Sequence, residues 1–352
     1  FLKDYKLTSN ELNKTITILN NFIKEMIPID SFEGLTINYK NALNLINPFQ
    51  ARYVVFSGAL NSERSFIAAA ARKMNKLLVF IQHGGYYGYV ANIPRFSELE
   101  YKVCDIFITW GWRVRGNHEN NSKFVPLPSP WLSERKKLWK DFVNLKSKKL
   151  YDFLWMPQRL DEFTMPLACI GNTRPDIIQN YSNDMVSAIS HFKKNKIITY
   201  YKPYNKKTAY ILKNTHKRIK NIAGNLITIS NTFDKGLSRI NINNSHIVLW
   251  DQPGTGFLEC VVSGIPTMIL SSKHYAKVND EAKKIFCELQ KVGVIHKEPN
   301  SLTYELNIFK KNPLHWMTEP RRRKAIENFS SKYAYVENEW NKVWKDYLKK
   351  LK

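Results

Sequence analysis

The chain has 352 residues, 43% of them hydrophobic, enough for two domains with sizeable cores, which excludes disorder as the default reading. No run reaches the about 18 uninterrupted apolar residues of a spanning helix. The formal net charge is +24 with basic residues spread along the whole chain and no nucleic-acid motif, so nucleic acid ranks last as a partner, behind an anionic membrane or acidic glycan and behind a compositional bias rich in Lys, Asn and Ile.

Residues 1–30 read as an amphipathic helix with Leu12, Ile16, Leu19, Phe22, Ile23 and Ile27 on one face. Three short apolar runs follow at 53–56, 77–81 and 105–109, with helical stretches through Ala68-Ala69-Ala70-Ala71 and 98–102 between them. Strands alternating with helices at this spacing predict a parallel sheet with crossover helices. Pro126, Pro128 and Pro130 are expected to stop regular structure, and a charged helix is expected over 134–149. The pattern then restarts. Strands are expected at 150–156, 197–201, 226–229, 246–250, 266–270 and 292–295, helices at 176–193, 208–219, 255–263 and 277–290, and one long helix at 320–350. This predicts two Rossmann-type α/β domains facing a cleft, at 1–147 and 148–320, with a C-terminal helix over 321–352 docked back. The sequence begins at Phe1 and not at Met, and reads as a trimmed piece of a longer chain.

Ligands of open α/β sheets bind beyond the carboxyl ends of the strands. The first such end is Gln82-His83-Gly84-Gly85-Tyr86-Tyr87-Gly88. Its glycines permit close backbone approach, and His83 at the strand tip can donate to a phosphate or act as a general base. A tight turn with a structural histidine is the plainer alternative. The second is Trp250-Asp251-Gln252-Pro253-Gly254-Thr255-Gly256-Phe257-Leu258-Glu259. Free N–H groups at the start of a helix make an anion site there, with Thr255 as cap or phosphate ligand and Glu259 one turn deeper for ribose hydroxyls. Asp251, Gly254 and Gly256 belong to the same donor site. An ordinary strand–turn–helix connection is the alternative. The third is Lys202 in Tyr200-Tyr201-Lys202-Pro203-Tyr204, placed to neutralise phosphate, unless it is one more solvated lysine. Ser230 and Asn231, after the strand at 226–229, are further donor-side candidates.

Glu63 and Asp161 are candidate catalytic carboxylates, though a helix N-terminus accounts for the first and an exposed loop pair with Glu162 for the second. Gln82, Gly84, Gly85, Tyr86, Trp110 and Trp112 are candidates for lining the acceptor cleft, the tryptophans as sugar-stacking or as core residues. The stripe of Trp340, Trp344 and Tyr347 reads as packing. The four cysteines (Cys104, Cys169, Cys260, Cys287) show no zinc spacing and are expected as buried thiols. No His-x-x-x-His, no strand-end Asp-x-Asp and no Walker loop is present, so no metal site and no kinase or ATPase chemistry is expected.

The run from Gln82-His83-Gly84-Gly85 through Glu98 and Tyr101 to Asp105 and Trp110-Gly111-Trp112 resembles a family of transferases of bacterial surface-carbohydrate biosynthesis. Thr255 to Glu259 with Gly264-Ile265-Pro266 is similar to the donor-binding half of GT-B glycosyltransferases. The resemblance implies a GT-B fold, a nucleotide-sugar donor held by the C-terminal domain and a glycan or lipid-linked acceptor held by the N-terminal one. It further implies no metal and no cofactor beyond the donor, and a cytoplasmic enzyme in peripheral contact with the membrane. Lys202-Pro203 resembles the Lys-Pro-His-Pro element of enzymes that use CMP-activated ulosonic acids such as Kdo, with Tyr204 in place of the histidine. The His-Gly turn is also similar to that of CDP-polyol phosphotransferases. A non-catalytic module for acidic glycan or membrane is the third reading.

Overall fold

A computed structural model of the chain describes residues 8–26, 33–91, 95–113, 123–139, 145, 148–160, 175–233, 236–271 and 278–351. They fall into two compact units, one of Phe1–Phe56 and Leu60–Val79, the other of Ser57–Ala59 and Phe80–Lys352.

The first unit holds α1 (Ser9–Met26), α2 (Leu35–Ile46), most of β1 (Tyr53–Ser57), α3 (Ser62–Lys73) and the start of β2 (Leu77–Ile81). Thr8 and Glu11 open α1 with reciprocal bonds, Thr8 N to Glu11 Oε2 at 2.9 Å and Glu11 N to Thr8 Oγ1 at 3.4 Å, a capping box. The expected apolar face of α1 exists, but Leu12, Ile16 and Leu19 on it are exposed. Helix α2 packs on α3, and Asn61 caps α3 by accepting from Arg64 N at 2.9 Å. The sheet starts here, where Leu77 N donates to Arg52 O at 2.9 Å.

The second unit carries the rest. Gln82 N donates to Ile108 O at 2.9 Å, extending the pairing of β2 with β3 (Ile106–Thr109). β3 pairs in parallel with β4 (Lys123–Pro126), giving the sheet order β1-β2-β3-β4. Helix α4 (Arg95–Val103) precedes β3, and α5 (Pro130–Trp139) follows β4. The proline cluster interrupts regular structure only over residues 127–129. Pro126 closes an edge strand, where the missing N–H costs no ladder bond, and Pro130 is the first residue of α5, where its fixed φ favours the helix.

The six-stranded sheet contains β5 (Tyr151–Met156), α6 (Pro175–Lys194), β6 (Thr199–Tyr201), α7 (Lys206–Ile211), α8 (Lys213–Ala223), β7 (Ile227–Ile229), α9 (Arg239–Asn243), β8 (Ser245–Trp250), α10 (Thr255–Ser263), β9 (Thr267–Leu270), α11 (Asp280–Lys291) and β10 (Ile295–His296). Its order is β10-β9-β8-β5-β6-β7 and its pairs are parallel. The chain goes from β5 outward through β6 and β7, then returns to the other side of β5 with β8. That reversal makes the carboxyl ends of β5 and β8, where Met156 faces Trp250 in register, a topological switch point. The strands are near-continuous apolar runs because helices cover both faces, and Trp139, Leu154, Val248, Cys260 and Ile265 share one buried cluster. The single helix expected at 208–219 is two, divided at Leu212.

After β10 come α12 (Pro299–Lys311), α13 (Pro313–Thr318), α14 (Pro320–Tyr333) and α15 (Trp340–Lys349). The long helix expected at 320–350 is thus broken between α14 and α15. The break is productive. Tyr335 N donates to Trp110 O at 3.0 Å, Ser129 N to Tyr335 O at 2.8 Å and Glu337 N to Ser133 Oγ at 3.2 Å, so the terminal segment docks back along the first sheet and α5. Helices α12 to α14 are stitched by Glu305, whose Oε1 accepts from Arg322 Nη2 at 2.7 Å and Trp316 Nε1 at 2.5 Å, with the Arg322 guanidinium 4.0 Å over the Trp316 ring. Cys104 and Cys260 are buried as expected, whereas Cys287 is exposed on α11, and Cys169 lies outside the described residues.

Candidate active site

A cavity of about 740 Å³ opens in the second unit at the switch point. Its floor is made by strand ends: Gln82 and His83 after β2, Trp110 after β3, Pro157 after β5, Lys202 after β6 and Trp250 of β8. Thr255, Gly256 and Glu259 of α10 form one side, and α5 and α15 another.

Two turns meet beside it, where Thr255 and Gly256 line the cavity and Gly84, Gly85, Tyr86 and Gly254 do not. Gly85 N donates to Thr255 Oγ1 at 2.8 Å, and Tyr89 Oη donates to Pro253 O at 2.5 Å. A Cβ at Gly85 would lie 2.8 Å from Thr255 N, and one at Gly256 would run into the Trp250 ring. These glycines serve close approach of backbone to neighbour. Gly254 caps α10 with no side-chain bond, and a Cβ there would lie 2.8 Å from Tyr86 Oη. Tyr86 has φ +75°, a costly conformation for a side-chain-bearing residue. Burial pushes its hydroxyl pKa well up, so it stays a neutral phenol.

His83 stands just beyond the end of β2 and lines the cavity. Its Nε2 lies 2.5 Å from Tyr87 Oη, and Tyr87 Oη donates to Glu100 Oε2 at 3.0 Å. Glu100 is buried, and its Oε1 stands 3.7 Å from His83 Nε2. Tyr87 thus links His83 to the buried carboxylate of Glu100. Sequence reasoning missed Glu100, thirteen residues beyond Tyr87 on α4; nothing in the sequence links the two.

The structure redistributes the other candidates. Gln82 is buried and its amide is spent internally: Nε2 donates to Gly84 O at 2.8 Å, while Oε1 accepts from Trp110 N at 2.9 Å and Trp112 Nε1 at 2.7 Å. It positions the turn. Trp110 lines the cavity, but Trp112 is core, packed on Tyr101, Phe107 and Phe124. Lys202 is fully buried, lines the cavity, and donates from Nζ to Gly236 O at 2.9 Å, so it is not a solvated lysine. Asp251 sits behind the wall: its Oδ2 accepts from Gln158 N at 3.0 Å and Tyr181 Oη at 2.7 Å, and burial raises its pKa to about 6. It holds the loop after β5. Ser230 is buried and bonded to Thr232, and Asn231 is exposed; neither lines the cavity. Glu63 lies in the first unit, exposed on the first turn of α3, and lines a different cavity of about 530 Å³ with α2 residues. Asp161 lies outside the described residues.

Glu259 lines the cavity with one oxygen committed: Oε1 accepts from Arg135 Nε at 2.6 Å and Trp139 Nε1 at 2.8 Å. Arg135 lies 5.3 Å from the Trp131 ring centre and 5.2 Å from that of Trp139. Trp131, Arg135 and Trp139 are spaced by four, as are Trp340, Trp344 and Leu348, and that spacing puts each set on one helix face. The first stripe went unread. The second contains the tryptophans expected to be packing, yet Trp340 and Trp344 line the cavity and Tyr347 does not. Among the described residues no group of three or more His, Cys, Asp or Glu is placed to hold a metal ion, and no helix is long and apolar enough to cross a membrane.

Two parallel α/β sheets, a cavity at the switch point and a terminal helix docked back make this a GT-B fold. Solved structures share it. A glycosyltransferase from Rickettsia africae aligns with a TM-score of 0.51 at 13% identity, over 90% of this chain and 81% of its own. Anabaena Alr3699/HepE, in complex with UDP and glucose, aligns with a TM-score of 0.51 at 10% identity, over 88% and 80%. The pneumococcal O-GlcNAc transferase GtfA, with UDP and GlcNAc, aligns with a TM-score of 0.50 at 12% identity, over 88% of this chain and 58% of its own. The chain belongs to the LIC12162 family of transferases, whose model matches residues 2–348. Among curated proteins no sequence matches it.

Proposed function

We propose that this transferase moves a sugar from a nucleotide-activated donor onto a bacterial surface glycan. One observation carries the reading: a single cavity gathers His83 and Lys202 from two strand ends and Thr255 and Glu259 from helix α10. The start of α10 and Lys202 face the leaving phosphate, whose developing charge is where such sites contribute most to rate. Glu259, held by Arg135 and Trp139, accepts from ribose hydroxyls. His83, oriented by Tyr87 and Glu100, removes the acceptor proton. The donor belongs to the 148–320 segment and the acceptor to 1–147, with no metal ion in the step. UDP with a sugar in two similar structures supports a nucleotide sugar as donor class. Within that class the Lys202-Pro203 element favours a CMP-linked ulosonic acid. The enzyme works on the cytoplasmic side, its basic surface in peripheral contact with anionic membrane.

A thermal-shift screen with CMP, CDP, UDP, GDP and ADP tests this, because a ligand bound only by the folded state raises Tm. Stabilisation by CMP above the others is the expected result. UDP or GDP in its place would move the donor. Transfer of a polyol phosphate from a CDP donor would replace glycosyl transfer, and no shift with any nucleotide would overturn the proposal.

A further inference from the structure

The cavity has two chemically different sides. Against the polar side with His83, Lys202, Thr255 and Glu259 stands a side built by α5 and α15, where Pro130, Trp131, Trp340, Trp344 and Leu348 face the same space. The indole N–H groups of α15 are already used: Trp344 Nε1 donates to Pro128 O at 2.8 Å, and Trp340 Nε1 donates to Glu134 Oε1 at 2.7 Å. What these rings offer the cavity is hydrocarbon. A subsite for a free oligosaccharide pairs aromatic faces with hydrogen-bonding groups; this side combines aromatic faces with proline and leucine, and the hydroxyl of Ser129 beside them accepts from Leu132 N at 3.2 Å. It is also firm, since α15 is pinned to α5 and the 128–130 segment by those two bonds.

We propose that the α5–α15 side is a hydrocarbon subsite, and that the acceptor is a sugar carried on an alkyl or isoprenoid chain. The chain lies along Trp340, Trp344 and Leu348 while the sugar reaches His83. The inference rests on the reading of this cavity as the transfer site. It makes the terminal helix part of acceptor recognition rather than packing alone.

A chain-length series of alkyl β-glucosides, from butyl to octyl and below micelle formation, tests it by calorimetric titration of the full chain. Buried methylenes predict affinity rising about three- to fourfold per added CH₂. Leu348→Glu places a charge on a half-buried position of α15 and is expected to flatten that series, while nucleotide stabilisation in the thermal-shift screen stays as in the wild type. Trp344→Phe, which keeps most of the ring, is expected to retain the slope. A flat series in the wild type, or a slope untouched by Leu348→Glu, overturns the subsite. Loss of nucleotide stabilisation in Leu348→Glu, with the fold intact by circular dichroism, also overturns it, by giving this side to the nucleobase. The nucleotide screen on the wild type stands apart: a rising series without any nucleotide shift keeps the subsite and removes the transferase reading.

Discussion

The molecule contains the same charged cluster twice. On α12 to α14, Glu305 Oε1 takes bonds from Arg322 and Trp316, and the guanidinium lies over the indole. On α5 and α10, Glu259 Oε1 takes bonds from Arg135 and Trp139, again with the cation over the ring. In the first cluster the Arg322 and Glu305 side chains are 10% and 11% exposed and line no part of the cavity. In the second Glu259 is more buried still, at 6%, yet it lines the cavity, and Arg135 is 22% exposed. Identical chemistry is a helix clamp in one place and a cavity wall in the other; the position of the carboxylate on the cavity, not residue type, separates them. Two further buried carboxylates divide in the same way, with Asp251 closed in behind the wall and Glu100 joined to the cavity through Tyr87 and His83.

The largest effect expected from that division is on stability. Arg322→Ala leaves Glu305 buried without its cation and costs about 3–5 kcal/mol, as breaking buried pairs does, while Arg135→Ala costs less; urea unfolding of both variants checks the order. Asp251 comes next. Its pKa of about 6 stands above the ordinary 3.8, so between those values the folded protein holds a proton that the unfolded chain has released. Its contribution is complete below the ordinary value and is lost as pH rises through about 6, about 3 kcal/mol in all. Tm measured against pH should lose that slope in Asp251→Asn. His83→Ala should lower kcat by about a hundredfold or more with Tm unchanged, and Glu100→Gln by roughly tenfold, the value of one misdirected hydrogen bond. The smallest effect sharpens the comparison most. Glu259→Gln should raise the donor KM about tenfold, the effect of one charge-assisted bond, whereas Glu305→Gln should leave donor KM unchanged in the fraction that folds. Equal donor KM values in the two variants would erase the distinction between clamp and wall.

Much of this was legible in the chain. The strands at 77–81, 246–250 and 266–270 stand as apolar runs because a parallel sheet buries both faces, the run at 53–56 forms an edge strand with only Phe56 buried, and both Gly-rich turns fall at strand ends, where the cavity lies. Pro130 misled because local rules read it as a stop, whereas it begins α5, as Pro299, Pro313 and Pro320 begin later helices. Helices α2, α12 and α13 went unseen between louder patterns. At the site, Lys202 and Thr255 were found because their motifs are local. Glu100, Arg135 and Trp139 were not, because their roles arise from partners 13, 124 and 120 residues away. Trp112, read as either a sugar-stacking or a core residue, is core, while Gln82 lines the cavity with its amide spent on the turn.

The bond from Gly85 N to Thr255 Oγ1 joins groups 170 residues apart. Contacts of such separation form late, since the intervening chain must be ordered before they are made. Both sheets can therefore be complete while the active site is still open. On refolding, helical signal should return before transfer activity, and a refolding intermediate would be a full set of strands without an enzyme.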